Sequence, residues 1–135
     1  MPAQSDKDLV RRFFEDVWNK NDASAAKAIV HDRYSTTENI TFPTLPGPEI
    51  VAAELGFYGS LYDRLNFKIG RMFTEGDTVV TVWEASGVSK TETFINRKGD
   101  VEPKSLRAEG VSLTEAKDGR IAAHRFLWPR EPLFP

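Results

Sequence analysis

Apolar and polar residues alternate along this chain with two different periods, helical in the first half and strand-like in the second. Leu9, Val10, Phe13, Phe14, Val17 and Trp18 recur at the spacing of one helix face, and Ser5 followed by Asp8 has the form of a capping box at its start. Asn19, Lys20, Asn21 and Asp22 interrupt that face. Ala26, Ile29 and Val30 then mark a short second helix, with Asp22 as its expected cap. Tyr34 to Phe42 reads as extended, and Pro43 to Pro48 as a loop whose Gly47-Pro48 pair opens a third helix carrying Val51, Leu55, Tyr58 and Tyr62 on one face.

From Asn66 the period becomes two. Phe67, Ile69 and Phe73 lead to a turn at Glu75-Gly76-Asp77, and Thr78 to Gly87 forms a long strand that Val88 to Ile95 either continues or follows as a separate strand. A polar turn over Asn96 to Asp100 precedes a strand from Leu106 to Glu115. The Asp118-Gly119 pair then predicts a tight hairpin to Arg120 to Trp128. Three helices followed by antiparallel strands is an α+β arrangement. The expected architecture is a cone-shaped barrel, a curved antiparallel sheet wrapped around three N-terminal helices and enclosing a small apolar pocket.

Composition narrows the function classes. With 135 residues, 40% hydrophobic and 11% aromatic, residues 1–135 make one domain with one core. A net charge of -2 offers no basic footprint for nucleic acid. No apolar run approaches the roughly 20 residues that span a bilayer, and the N-terminus lacks a secretory pattern, so a cytoplasmic protein without a membrane partner is expected. Cysteine is absent and there are only 2 histidines, His31 and His124, which argues against disulfides and metal centres. No metal or cofactor is expected.

Four runs carry a resemblance: LVRRFFEDVWNKNDASAAKAIVHDRY, GPEIVAAELGFYGSLYDRLNF, EGDTVVTVWEASG and EGVSLTEAKDGRIAAH. In order and spacing they resemble the SnoaL-like polyketide cyclase family of the nuclear transport factor 2-like superfamily, across roughly Asp8 to Trp128. The markers are Trp18-Asn19, Gly47-Pro48, Gly76-Asp77, Trp83 with Gly87, and Asp118-Gly119 with Ile121. They speak to architecture more than to chemistry. The resemblance implies a small cofactor-independent enzyme performing acid–base isomerisation, cyclisation or hydration of an apolar polyketide-, terpenoid- or steroid-like molecule in the cone. It also implies a homodimer through the outer sheet face, for which His124, Phe126 and Trp128 are the expected apolar surface. The alternative is a non-catalytic binding or dimerisation module of the same fold; a third, minor reading is epoxide opening.

The chain departs from the family pattern where chemistry is concerned. The segment Tyr34 to Asn39 lacks the family's histidine, and the last-strand places of its Glu, Trp and Asp are taken by Ala123, Arg125 and Pro129. The catalytic candidates are therefore substitutes: Glu109 as an acid or base oriented by Arg107, Arg125 as a cation facing the cone, Asn39, and Tyr58 as a phenol donor. Candidates for contacting substrate are Phe14, Trp18, Tyr34, Thr37, Tyr62, Phe73, Trp83, Arg107 and His124. Each has a plain structural alternative: an exposed ion pair for Glu109 and Arg107, a satisfied histidine for His124, core packing for the aromatics.

Overall fold

The computed structural model describes residues 3–36, 45–95, 98–99 and 101–129. Helix α1 (Ala3–Arg12) runs directly into a π-helical segment, Phe13–Trp18. Spacing explains the change. The buried pairs Leu9-Val10, Phe13-Phe14 and Val17-Trp18 recur every four residues, more than the 3.6 of an α-turn, and the wider π-turn keeps all of them on one inward stripe. The Asn19 N–H bonds the Phe14 carbonyl five residues back, at 2.8 Å. Because α1 begins at Ala3, Ser5 lies inside the helix and the expected capping box does not mark its start.

Helix α2 (Ala23–Ile29) is capped as expected: Asp22 Oδ1 accepts from the N–H groups of Ser24 and Ala25 at 3.0 and 3.3 Å. Strand β1 (Val30–Thr36) follows without a linker, and α3 (Gly47–Leu61) crosses the sheet. Tyr62 does not extend the α3 face as the helical spacing suggested; it is the first residue of β2 (Tyr62–Glu75). Strands β3 (Thr78–Ile95), β4 (Val101–Lys117) and β5 (Arg120–Leu127) complete the chain. The last hairpin turns through Asp118 and Gly119, whose φ values of 55° and 73° are the left-handed pair that a two-residue loop requires.

The sheet order is β1-β5-β4-β3-β2. Strands β2 to β5 form an antiparallel meander, but β1 pairs parallel to β5, with Val30 opposite Ile121 and Thr36 opposite His124. The sheet is thus mixed and open, because α3 carries the chain from the β1 edge to begin β2 at the opposite edge. Register shifts at Asp63/Asn66, Ile69/Arg71 and Val88/Thr93 bend the long strands. The concave side receives the helices, and Phe13, Phe14, Trp18, Tyr34, Tyr58, Phe67, Trp83 and Phe126 meet there in one core.

Candidate functional site

Alternation decides which side chains enter the concave side. In β4 the even positions Leu106, Ala108, Ser112, Thr114 and Ala116 are buried, so Arg107 and Glu109 stand exposed on the outer face. In β3, Trp83 is buried and Glu84 exposed, as alternation predicts. In β5 the interior belongs to Ile121, His124 and Phe126, and Arg125 is exposed. This reverses the expected facing of the last strand. Arg125 looks away from the helices, and His124, Phe126 and Trp128 pack inside instead of offering a dimer surface. Placing an arginine on the inner face would strip its charge of water, whereas an imidazole can be buried neutral.

His124 sits in a chain of buried hydrogen bonds. The Trp83 indole N–H donates to Ser112 Oγ at 2.9 Å, Ser112 Oγ lies 3.2 Å from His124 Nε2, and Thr114 Oγ1 lies 3.0 Å from Nδ1. In the neutral ring one of these nitrogens donates to its hydroxyl and the other accepts, so both are satisfied in either tautomer. Phe13, Phe14 and Phe126 close over the imidazole with ring centroids at 5.2, 5.6 and 4.3 Å. Burial without a compensating charge pushes its pKa from 6.5 down to about 3. His124 is therefore a neutral, walled-in side chain.

A second buried polar group lies across the interior, on α3. Glu54 is fully buried, and its carboxyl accepts from the Tyr34 hydroxyl at 3.2 Å and from Thr36 Oγ1 at 3.3 Å. Sequence reading missed this residue, although its signal was present. Ile50, Val51, Glu54, Leu55 and Tyr58 share one helix face, and a carboxylate on an apolar stripe is seldom buried without reason. One turn along that face, Tyr58 stacks on Trp128 with centroids 6.2 Å apart and meets Trp18 edge-on at 5.4 Å. The indole N–H groups of Trp18 and Trp128 are buried and find no hydrogen-bond acceptor among the described residues.

Of the remaining candidates, Phe14, Trp18, Tyr34, Tyr58 and Trp83 share this interior. Phe73 does not: it is 46% exposed on the outer face, with Arg71 over its ring. Tyr62 is half-buried in a cleft of about 210 Å³ that Trp18, Asn19, Asn21, Tyr58 and Lys90 also line. Thr37 and Asn39 lie outside the described residues, as does the proline-rich stretch after Pro129.

Three helices on the concave side of an open, bent sheet define the α+β cone class of nuclear transport factor 2-like proteins, and solved structures of that class superpose on nearly the whole chain. The chain belongs to the SnoaL-like domain family, whose model matches residues 10–124. Similar structures include a putative SnoaL-like polyketide cyclase from Jannaschia sp. CCS1, 18% identical, with a TM-score of 0.72 over 95% of this chain and 88% of that one. A putative polyketide cyclase from Acidithiobacillus ferrooxidans is 15% identical, with a TM-score of 0.75 over 96% and 92%. An epoxide hydrolase of the LEH-like type from M. tuberculosis is 19% identical, with a TM-score of 0.69 over 96% and 86%. No curated protein matches the chain in sequence. Among the described residues, no helix is long and apolar enough to cross a membrane.

Proposed function

We propose that the protein is a cofactor-independent enzyme that binds an apolar polyketide-, terpenoid- or steroid-like molecule on the concave side and isomerises, cyclises or hydrates it by acid–base catalysis. The observation that carries this reading is the set of ionisable side chains inside an aromatic interior: the phenols of Tyr34 and Tyr58 and the carboxyl of Glu54. Polar groups held in a low-dielectric site exchange protons with a bound carbonyl compound more effectively than the same groups in water. Phe14, Trp18 and Trp83 supply apolar walls, and Tyr58 is the donor to a developing oxyanion. The similar polyketide cyclases support the substrate class, and the LEH-like epoxide hydrolase supports hydration within the same range.

The test needs no knowledge of the product. The protein is incubated in deuterated buffer with a panel of cyclic and polycyclic ketones, and exchange of the protons next to each carbonyl is followed by NMR. Exchange well above the buffer rate for at least one ketone is expected. Ketones that quench tryptophan fluorescence, and so bind, without exchanging would favour the non-catalytic binding module.

A homodimer through the outer face belongs to the same reading, on different residues from those first expected. Phe73, Val80, Val82, Val111, Leu113 and Leu127 stand on adjacent strands of that face, and Leu127 is 39% exposed. Sedimentation velocity at micromolar concentration should give a dimer, and Leu127→Glu should shift it to monomer. A monomeric wild type would refute this interface.

A further inference from the structure

Of the two buried carboxyl side chains among the described residues, only one is placed for chemistry. Asp6 occupies the first turn of α1, at the opposite end of the α1–π-helical rod from Trp18, roughly 18 Å away at 1.5 Å per residue. Glu54 lies on the inward face of α3, one turn from Tyr58 and thus from the Trp18 and Trp128 rings. Burying a carboxyl is costly, and hydrogen bonds offset only part of that cost. The α3 stripe is otherwise apolar at Ile50, Val51 and Leu55, so a methionine or leucine at residue 54 would suit packing alone.

The other interior candidate is already occupied. Both His124 ring nitrogens face hydroxyls, and three phenyl rings cover the imidazole. The last strand presents no carboxyl to the interior, since Ala123 and Arg125 stand where the resemblance led one to look for acidic or aromatic groups. Glu54 differs from His124 in the way it is held. Its donors, Tyr34 and Thr36, come from β1, which pairs with the same β5 from the side, so α3 supplies the carboxyl and β1 orients it.

We infer that Glu54 is the proton-transferring group of this protein, moved from the last strand to α3, and that Tyr34 and Thr36 are positioning residues that hold its carboxylate toward an apolar, carbon-acid substrate. This inference rests on the acid–base reading above. The substrate it calls for carries an acidified C–H bond on an apolar ring. Glu54 takes that proton, the bond's electron pair moves into the adjacent electron-withdrawing group, and the proton is returned to the product or to water.

The probe is 5-nitrobenzisoxazole, a neutral ring with one acidic C–H bond. A carboxylate removes the proton at C3, the C–H electrons form the nitrile, and the N–O bond breaks to leave the coloured phenolate. Quenching of tryptophan fluorescence reports binding separately. Wild type is expected to bind the probe and convert it, with a rate that falls at low pH along one protonation step. Glu54→Gln, nearly isosteric, keeps one oxygen to accept from one hydroxyl and turns its amide N–H toward the oxygen of the other; it should bind comparably and lose turnover on the order of 100-fold. Glu54→Asp, with the carboxyl drawn back by one methylene, should fall between them. Tyr34→Phe should lower turnover less than Glu54→Gln does and move the acid limb of the pH–rate profile to higher pH, because one donor to the ionised carboxyl is gone. Urea unfolding establishes that each variant is folded. Binding without turnover, or turnover unchanged in folded Glu54→Gln, would overturn the assignment to Glu54 and leave the interior as a binding site. Failure of the probe to bind would overturn the interior site and this inference with it.

Discussion

Lowering the pH from 6.5 toward 3 is expected to remove on the order of 4 kcal/mol of stability through His124 alone. The sign follows from proton uptake. In the unfolded chain a histidine binds a proton near its ordinary value of 6.5, while in the folded protein His124 stays neutral until about 3. Between these values the unfolded state holds one more proton than the native state. The stability present above pH 6.5 is therefore lost as pH falls, by about 1.4 kcal/mol per unit. The cause is desolvation beneath Phe13, Phe14 and Phe126, with Ser112 and Thr114 offering hydroxyls but no charge.

Carboxylates also contribute to acid unfolding, so the measurement is a difference. Urea unfolding of wild type and His124→Gln at a series of pH values from 7.5 to 4 should show the variant less stable at neutral pH and its stability less steeply pH-dependent, by up to one proton. An NMR titration gives the direct check. The His124 ring protons should not shift between pH 8 and 5; an ordinary titration near 6.5 in the folded protein would refute the buried neutral state.

Two glycines on the same helix should respond with opposite signs to the same substitution. Gly47, at the first turn of α3, sits so close to β1 that a Cβ would run into the backbone carbonyl of His31 and lie 2.6 Å from Tyr34 Cβ. Neither neighbour can yield cheaply, since β1 is held by its pairing to β5. Gly47→Ala should cost roughly 3 kcal/mol or more, at the upper end of overpacking, and should separate Tyr34 from Glu54. Gly56 is exposed further along α3, with nothing within 4 Å of its would-be Cβ. There, alanine restricts the unfolded chain and favours the helix, so Gly56→Ala should stabilise by about 0.4–1 kcal/mol. Chemical denaturation of the pair checks both. Equal effects would mean that α3 and β1 are not in the close contact seen here.

Local features were legible in the chain itself. The Asp22 cap, the helix opened by Gly47-Pro48, the Asp118-Gly119 hairpin and the opposite facings of Trp83 and Glu84 each depend on neighbours a few residues away, where backbone geometry dictates the outcome. The four-residue spacing of the buried pairs on α1 was visible too, although its consequence, a π-helical segment, appears only when both members of each pair must pack inward.

The functional interior is less local. Alternation along β5 states that Arg125 and His124 face opposite ways but not which one faces the helices. That depends on how β5 registers with β4, including the shift at Glu115/Ala116, and on the parallel arrival of β1 at its other side. Glu54, on the inward stripe of α3, was not singled out from the sequence, and its partners Tyr34 and Thr36 lie on β1, 20 and 18 residues earlier in the chain. The sequence by itself determined the elements, their order and the α+β class, because capping, turn chemistry and period act over one or two turns of chain. Only the tertiary structure decided which faces meet, and so which charges stay in water and which carboxyl is enclosed, because burial is a property of packed surfaces and not of any one segment.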